Sequence, residues 1–233
     1  MRFRKNCLLV VPLYVLTFLL LVQFALPNSA QAADITVTTT SDEFNNTPNG
    51  NCSLREAVQS ANIDANFGGC SGSGSYGADT ILLPDNTYLL TISCNGNEEA
   101  DVGNDNSCGD IDILDTGDPT TIQGNAASPD QVIVQGRCNI QDIGTENCEC
   151  SSTSDIERIF HVGPSGNSNS AIAVTANFQG FTITRGYSDD NGGGIRLNET
   201  STANVDLMIF DENVTDNRGE AITAKGEANV KAF

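Results

Sequence analysis

The chain has 233 residues, of which 30 are Asp or Glu and only 11 are Lys or Arg, so its formal net charge is −19. Such an excess of negative charge repels phosphate backbones and argues against nucleic acid as a partner. It would instead attract cations, Ca²⁺ first among them. The alternative is that the charge simply gives a soluble, self-repelling surface.

The N-terminal segment predicts export. A basic start at residues 1–5 precedes an apolar stretch from about Cys7 to Leu26, and Ala30-Gln31-Ala32 forms a small-x-small cleavage signal. The stretch is long enough to be a transmembrane anchor, but the Ala-x-Ala site favours a signal peptide at residues 1–32. Cleavage removes three positive charges and no negative one, leaving −22 on residues 33–233. We expect an extracellular or cell-surface location, with the periplasm as an alternative and with outer-membrane association if an additional C-terminal anchor exists.

The cysteines predict disulfide bonds. Export to an oxidising compartment makes disulfides the default, and the spacing fits no zinc site. Seven cysteines follow the signal peptide: Cys52, Cys70, Cys94, Cys108, Cys138, Cys148 and Cys150. We predict that Cys52 pairs with Cys70, that Cys94 pairs with Cys108, and that Cys138 pairs with Cys148 or Cys150. The odd count leaves one thiol without a partner in this chain.

The segment from residue 33 to 78 contains one predicted strand and one predicted helix. The β-branched run Ile35–Thr40 is typical of a strand. Ser53 and Glu56 form a capping box, and Gly68 with Gly69 would end the helix. Between them, apolar residues recur at helical spacing on one face: Leu54, Ala57, Val58, Ala61 and Ala65. We predict a helix over residues 53–67 that covers the N-terminal end of a sheet structure.

From about residue 79 the chain consists of short apolar runs bounded by turn residues, which is typical of an all-β protein. The last sixty residues repeat: Asn177, Asn204 and Asn229 each begin a similar segment, 27 and then 25 residues apart. A period of this size indicates a solenoid. The chain ends inside a repeat without a capping sequence, so we expect the fold to be C-terminally truncated.

Several motifs resemble those of a known family. Cys52-Ser53-Leu54-Arg55-Glu56-Ala57 resembles the CSLREA motif that opens a family of exported bacterial proteins, and the C-terminal segments are similar to polymorphic outer-membrane protein repeats. The resemblance implies a right-handed single-stranded parallel β-helix of the pectin lyase-like kind. It places an N-terminal cap at residues 33–78 and the helical coils at residues 79–233, on the cell surface or in the medium. It does not imply an enzyme.

Three motifs could suggest a site. The Gly72–Gly77 segment fits Gly-x-Gly-x-x-Gly, but it follows no predicted strand and opens no helix, so a flexible loop is favoured over a dinucleotide site. His161 is the only histidine and is expected on a strand surface. The acidic clusters at 101–110 and at 189–190 match no calcium-binding loop. We therefore assign no catalytic, cofactor-binding or metal residue, with Ca²⁺ as the one cofactor left open.

Two functions remain. The first is a binding or structural, adhesin-like role without catalysis, with a carbohydrate or a host or cell-surface protein as partner. The alternative is a carbohydrate-active enzyme of the Ca²⁺-dependent polysaccharide lyase or glycosidase type. Its parts would be Asp189, Asp190, Arg185 and Arg196. An enzyme should cluster acids and a base, whereas a binding protein should spread Asn, Asp and Thr over a sheet face.

Overall fold

The strands and helices of this protein are short. The computed structural model describes residues 32–92, 94, 106–136, 158–163, 173–186, 193–197, 201–206, 209–210, 222–224 and 227–231. Helix α1 spans Leu54–Asn62, and a 3-10 helix spans Pro129–Gln131. The strands within this part of the chain are β1 Asp34–Thr36, β2 Gly72–Ser73, β3 Thr80–Leu82, β4 Asn86–Leu89, β5 Ile111–Ile113, β6 Thr120–Gln123, β7 Val132–Gln135, β8 Phe160–Val162, β9 Thr175–Gln179, β10 Thr182–Thr184, β11 Ile195–Leu197, β12 Thr202–Asp206, β13 Ile209–Phe210, β14 Ile222–Ala224 and β15 Glu227–Lys231.

The strands form three sheets, and the chain visits the three in turn. The seven-stranded sheet has the order β15-β12-β9-β6-β3-β1-β2, and the four-stranded sheets have the orders β13-β10-β7-β4 and β14-β11-β8-β5. Within the described residues, every pairing between β3 and β15 is parallel. The repeat is reproduced in the register, because Asn177, Asn204 and Asn229 lie opposite one another on β9, β12 and β15.

The predicted fold class, an all-β right-handed single-stranded parallel β-helix with a capping helix, is wrong. The largest sheet is mixed, because β2 pairs antiparallel with β1. The protein is not all-β either, since α1 contributes Leu54, Ala57, Val58 and Ala61 to the buried core. This helix packs chiefly along β5, the edge strand of one four-stranded sheet, and is not a cap over the whole stack. The Gly72–Ser73 segment, expected to be loop, supplies the antiparallel strand.

The core is built by strand alternation. Successive side chains of a strand point to opposite faces, and on β1, β3, β6 and β9 the inward residues are fully buried. Ile35, Ile81, Ile122 and Phe178 stand in register on four neighbouring strands. Each such side chain contributes roughly 1.5–3 kcal/mol when it leaves water. The apolar column therefore fixes which face of the sheet points outward.

Helix α1 begins as predicted and ends earlier. Ser53 accepts a hydrogen bond from the Glu56 amide, and the Glu56 carboxylate accepts one from the Ser53 amide, which confirms the capping box. The helix ends at Asn62, five residues before the predicted end, and Asp64 adopts a left-handed φ of 51°. The side chain of Asn62 pairs with β5, donating to the Asp112 carbonyl and accepting from the Leu114 amide.

Two disulfide bonds lie in the described part of the chain. Cys52 is bonded to Cys70 and Cys94 to Cys108, as predicted. The third predicted pair involves Cys138, Cys148 and Cys150, which lie outside the described residues. Among the residues that the structure describes, no helix combines the length and apolarity needed to cross a membrane.

Candidate functional site

The CSLREA-like segment, residues 52–57, holds neighbouring parts of the chain through the buried side chain of Arg55. We call the contacts of this side chain the clip. Arg55 is fully buried, and its guanidinium contacts both carboxylate oxygens of Asp42, at 2.8 Å from Nε and 3.2 Å from Nη2. It also donates to three backbone carbonyls, those of Asn106 at 3.3 Å, Gly109 at 2.8 Å and Asp110 at 3.1 Å. A planar fork of N–H donors suits this role better than an ammonium group. Arg55 therefore fixes the segment 106–110 against the helix.

Asn106 continues this restraint into β5. It adopts a left-handed φ of 56°, and its side-chain amide pairs with both backbone groups of Asp112. Its Oδ1 accepts from the Asp112 amide at 2.7 Å, and its Nδ2 donates to the Asp112 carbonyl at 2.9 Å. The clip and this amide together determine where the side chains of Asp110 and Asp112 stand.

Asp110 and Asp112 meet His161 and Arg158 in a buried cluster. Asp112 and His161 are opposite one another on β5 and β8, with 3.2 Å between Oδ1 and Nδ1. Arg158 Nη1 lies 3.4 Å from Asp110 Oδ2. One ligand atom from each of Asp110, Asp112 and His161 lies within 4.8 Å of the others. All four residues are at least nine-tenths buried.

The charges of this cluster balance when His161 is protonated. Burial lowers the pKa of His161, but the hydrogen bond that its ring donates to the Asp112 carboxylate and the negative charges of Asp110 and Asp112 raise it by more, against a smaller lowering from Arg158. The pKa of His161 is therefore raised overall. When His161 is protonated, two carboxylates face one guanidinium and one imidazolium, and a divalent cation would have to displace charges already in place. The expected strand-surface position of His161 is wrong, since only 1 % of this residue is exposed.

A second feature is the outer face of the seven-stranded sheet, which we call the polar face. Its central row runs in register through Thr80, Thr121, Asn177 and Asn204, all half-buried. The side chains are joined: Asn177 donates to Thr121 Oγ1 at 3.1 Å, and Asn204 donates to Asn177 Oδ1 at 2.8 Å. A neighbouring row carries Gln123 and Gln179 in register. The face thus presents evenly spaced hydroxyl and amide groups.

A third feature is the carboxyl group of Asp79, which lies at the start of β3. Its Oδ1 accepts from the Ala33 amide at 3.1 Å and from the Gly77 amide at 3.0 Å, whereas its buried Oδ2 has no hydrogen-bond partner. Burial raises the pKa of Asp79 to about 6; the two amides oppose this rise, while the negative charges of Asp64 and Asp115 add to it.

Of the four residues considered for an enzyme, only Arg185 and Arg196 lie within the described part of the chain. Arg196 lies beside His161 in the register of β11 and β8, whereas Arg185 follows β10 with a left-handed φ of 56°. Asp189 and Asp190, like residues 101–105 of the other acidic cluster, lie outside the described residues. The Gly72–Gly77 segment forms β2 and a turn and opens no helix.

The Asp110–Asp112–His161 grouping was missed from the sequence. Its signal was two acids two residues apart, on the same face of a strand, but their partner is 49 residues away and becomes visible only in the register. No family model, curated protein or solved structure matches this chain. Its function is therefore argued from the geometry of the clip, the buried cluster and the polar face.

Proposed function

We propose that this protein is exported after cleavage at Ala32 and binds a neutral polysaccharide outside the cytoplasm through the polar face. The observation that carries the proposal is the hydrogen-bonded row of Thr121, Asn177 and Asn204. Sugars present hydroxyl groups that donate and accept hydrogen bonds, which are the groups that such a row can satisfy.

The row is organised before a ligand arrives. Asn177 uses one N–H on Thr121 and one lone pair of its Oδ1 on Asn204, which leaves it a second N–H and a second lone pair. Its side chain is already held by two neighbours, so binding would cost little additional rotamer entropy. Strands about 4.8 Å apart repeat these groups regularly along the face, which suits a ligand that is itself a repeat.

Charge favours a neutral ligand over an anionic one. The mature chain would carry −22, and the central row of the polar face contains no cationic side chain from Thr80 to Asn204. An anionic polysaccharide would be repelled over the distance of a Debye length, about 8–10 Å at physiological salt. A protein ligand remains the other class, and the test below separates the two.

Catalysis is the second candidate, because Asp112 and His161 form a carboxylate–imidazole pair of the kind that general acid–base chemistry uses. Their burial weighs against it, since a general base must come within hydrogen-bond reach of the substrate proton. The network with Arg158 and Asp110 gives the pair a structural role instead.

The test is affinity electrophoresis of the mature chain through gels that contain neutral or anionic polysaccharides. We expect retardation by at least one neutral polymer, at least tenfold weaker binding for Asn177→Ala, and no change for Thr87→Ala, an exposed position on β4 of another sheet. Retardation that Asn177→Ala leaves unchanged would place the ligand elsewhere. A chain that no polysaccharide retards would leave the row as a structural ladder and turn the search to protein ligands.

A further inference from the structure

Asp79 is a fully buried carboxyl group that lies beside the backbone nitrogen of Ala33. The Ala33 residue is 0 % exposed, and its backbone nitrogen lies 3.1 Å from Asp79 Oδ1. Asp79 is also 0 % exposed, and its Oδ2 has no hydrogen-bond partner. A buried carboxylate without a countercharge is costly, and natural proteins pair or neutralise such groups. Among the described residues, the charged side chains that raise the pKa of Asp79 are Asp64 and Asp115, and both are acidic.

The nitrogen beside Asp79 belongs to the residue that directly follows the Ala30-Gln31-Ala32 cleavage signal. Before cleavage this nitrogen is a neutral amide with one N–H. After cleavage it is an α-ammonium group with a positive charge and three N–H donors. Hydrolysis of the Ala32–Ala33 peptide bond adds one water, gives Ala32 a carboxylate and releases Ala33 as the amine, which takes up a proton below its pKa.

We propose that signal-peptide cleavage completes the folded protein, because the α-ammonium of Ala33 forms a buried ion pair with Asp79. The inference rests on the export proposed above and is independent of the ligand of the polar face. It assigns the orphaned carboxylate a partner that only the processed chain has. With this ammonium group in place, no basic side chain on β1 is needed to balance the charge of Asp79.

The site is held from several sides. The Ala33 carbonyl accepts from the Thr80 amide at 2.8 Å, and the Asp79 carbonyl accepts from the Thr121 amide at 2.8 Å, so both residues are part of the ladder of β1, β3 and β6. Tyr76 lies near enough for the Asp79 charge to raise the pKa of its hydroxyl group, after the larger effect of burial. An added charge on Ala33 would therefore act in an ordered, low-dielectric setting.

The pH dependence has a defined sign. While Ala33 is an amide, the raised pKa of Asp79 makes its contribution to stability present at low pH and lost as pH rises through about 6. The ammonium removes this loss by favouring the charged carboxylate. Pairing in turn raises the amine pKa above its ordinary value of about 7.7–8.0. The stabilisation from the ion pair is therefore complete below about pH 8 as long as Asp79 is ionised; it is lost as pH rises through the raised amine pKa and also as acid protonates Asp79.

The first experiment compares chains that differ in one N-terminal residue. One starts at Ala33 and the other carries a single additional Gly before it, which keeps the Ala33 amide and moves the charge away. We expect the chain that starts at Ala33 to have a Tm higher by about 5–10 °C at pH 7. The difference should shrink to within error in Asp79→Asn, and Asp85→Asn, an exposed acid in the bend before β4, should leave it unchanged.

The second experiment measures the amine directly. The secreted chain is sequenced from its N-terminus and then acylated at pH 7, with Lys225 and Lys231 as internal references. A free α-amine reacts faster than a lysine because its pKa is lower. We expect Ala33 as first residue and acylation of its amine at least tenfold slower than in Asp79→Asn. A different first residue overturns the proposal, as does an amine whose rate Asp79→Asn does not change. A Tm increase from Ca²⁺ that requires Asp79 would assign the carboxylate to a cation and overturn it too.

Discussion

Replacement of Arg55 by Met should destabilise the protein more than any surface change. The guanidinium is 0 % exposed and contacts Asp42, whose side chain is 2 % exposed, as well as three carbonyl groups. Removal of one partner from a buried ion pair costs about 3–5 kcal/mol. Since the whole free energy of unfolding is about 5–15 kcal/mol, a loss of roughly 6–20 °C in Tm is expected for a chain of this size.

The charge left behind, and not the lost volume, is the expected cause. In Arg55→Met the Asp42 carboxylate keeps, among the described residues, the amides of Thr91 and Ile92 at 2.6 and 2.9 Å. The double variant Asp42→Asn, Arg55→Met removes that charge and should recover at least about 1 kcal/mol of the loss. Arg55→Lys keeps the charge without the fork and should lie between the wild type and Arg55→Met.

The assay is urea unfolding followed by circular dichroism with the disulfides intact, which yields both the midpoint and the slope. A loss below about 1 kcal/mol in Arg55→Met would refute the assignment of Arg55 as a buried clip. Losses that simply add in the double variant would show that the stranded charge is not the cause.

Two further predictions concern the same region. The double variant Cys52→Ala, Cys70→Ala should lower the free energy of unfolding by about 3 kcal/mol, because the bond closes a loop with a sequence separation of 18. An unchanged urea midpoint would contradict this. Separately, thiol titration of the unaltered mature chain should find one free group. The stability that His161 contributes should be complete below its unfolded pKa of about 6.5 and should be lost as pH rises through its raised folded pKa. His161→Asn should therefore flatten the Tm profile above pH 6, and a profile of unchanged steepness would argue against a protonated imidazole.

Local features could be predicted from the sequence, whereas the pairing of strands could not. The capping box of Ser53 and Glu56 involves a spacing of three residues, and the Cys52–Cys70 bond closes a segment that the helix itself delimits. Short-range chemistry of this kind is visible in one dimension. The end of the helix was not predicted because it depends on a contact that is distant in sequence: the side chain of Asn62 forms two hydrogen bonds with the backbone at β5.

The predicted fold class was wrong because the pairing of β1 with β2 leaves no signal in the sequence. Nothing in Gly72-Ser73 predicts a strand, since two small residues fit a turn equally well, yet their antiparallel pairing with β1 makes the largest sheet mixed. The predicted position of His161 was wrong for a related reason. Alternation with Phe160 predicts that it points away from the core, but Asp110, Asp112 and Arg158 gather on that side and bury it.

The amides of Asn62 and Asn106 have a consequence for self-association. Both occupy backbone groups of Asp112, and Asn62 also occupies the Leu114 amide, along the outer side of the edge strand β5. An edge whose hydrogen-bonding groups are already satisfied cannot template the addition of a foreign strand. The two-residue β2 does the same for β1. Two side-chain amides and one two-residue strand thus cover hydrogen-bonding groups of β5 and β1 that a foreign strand could otherwise use.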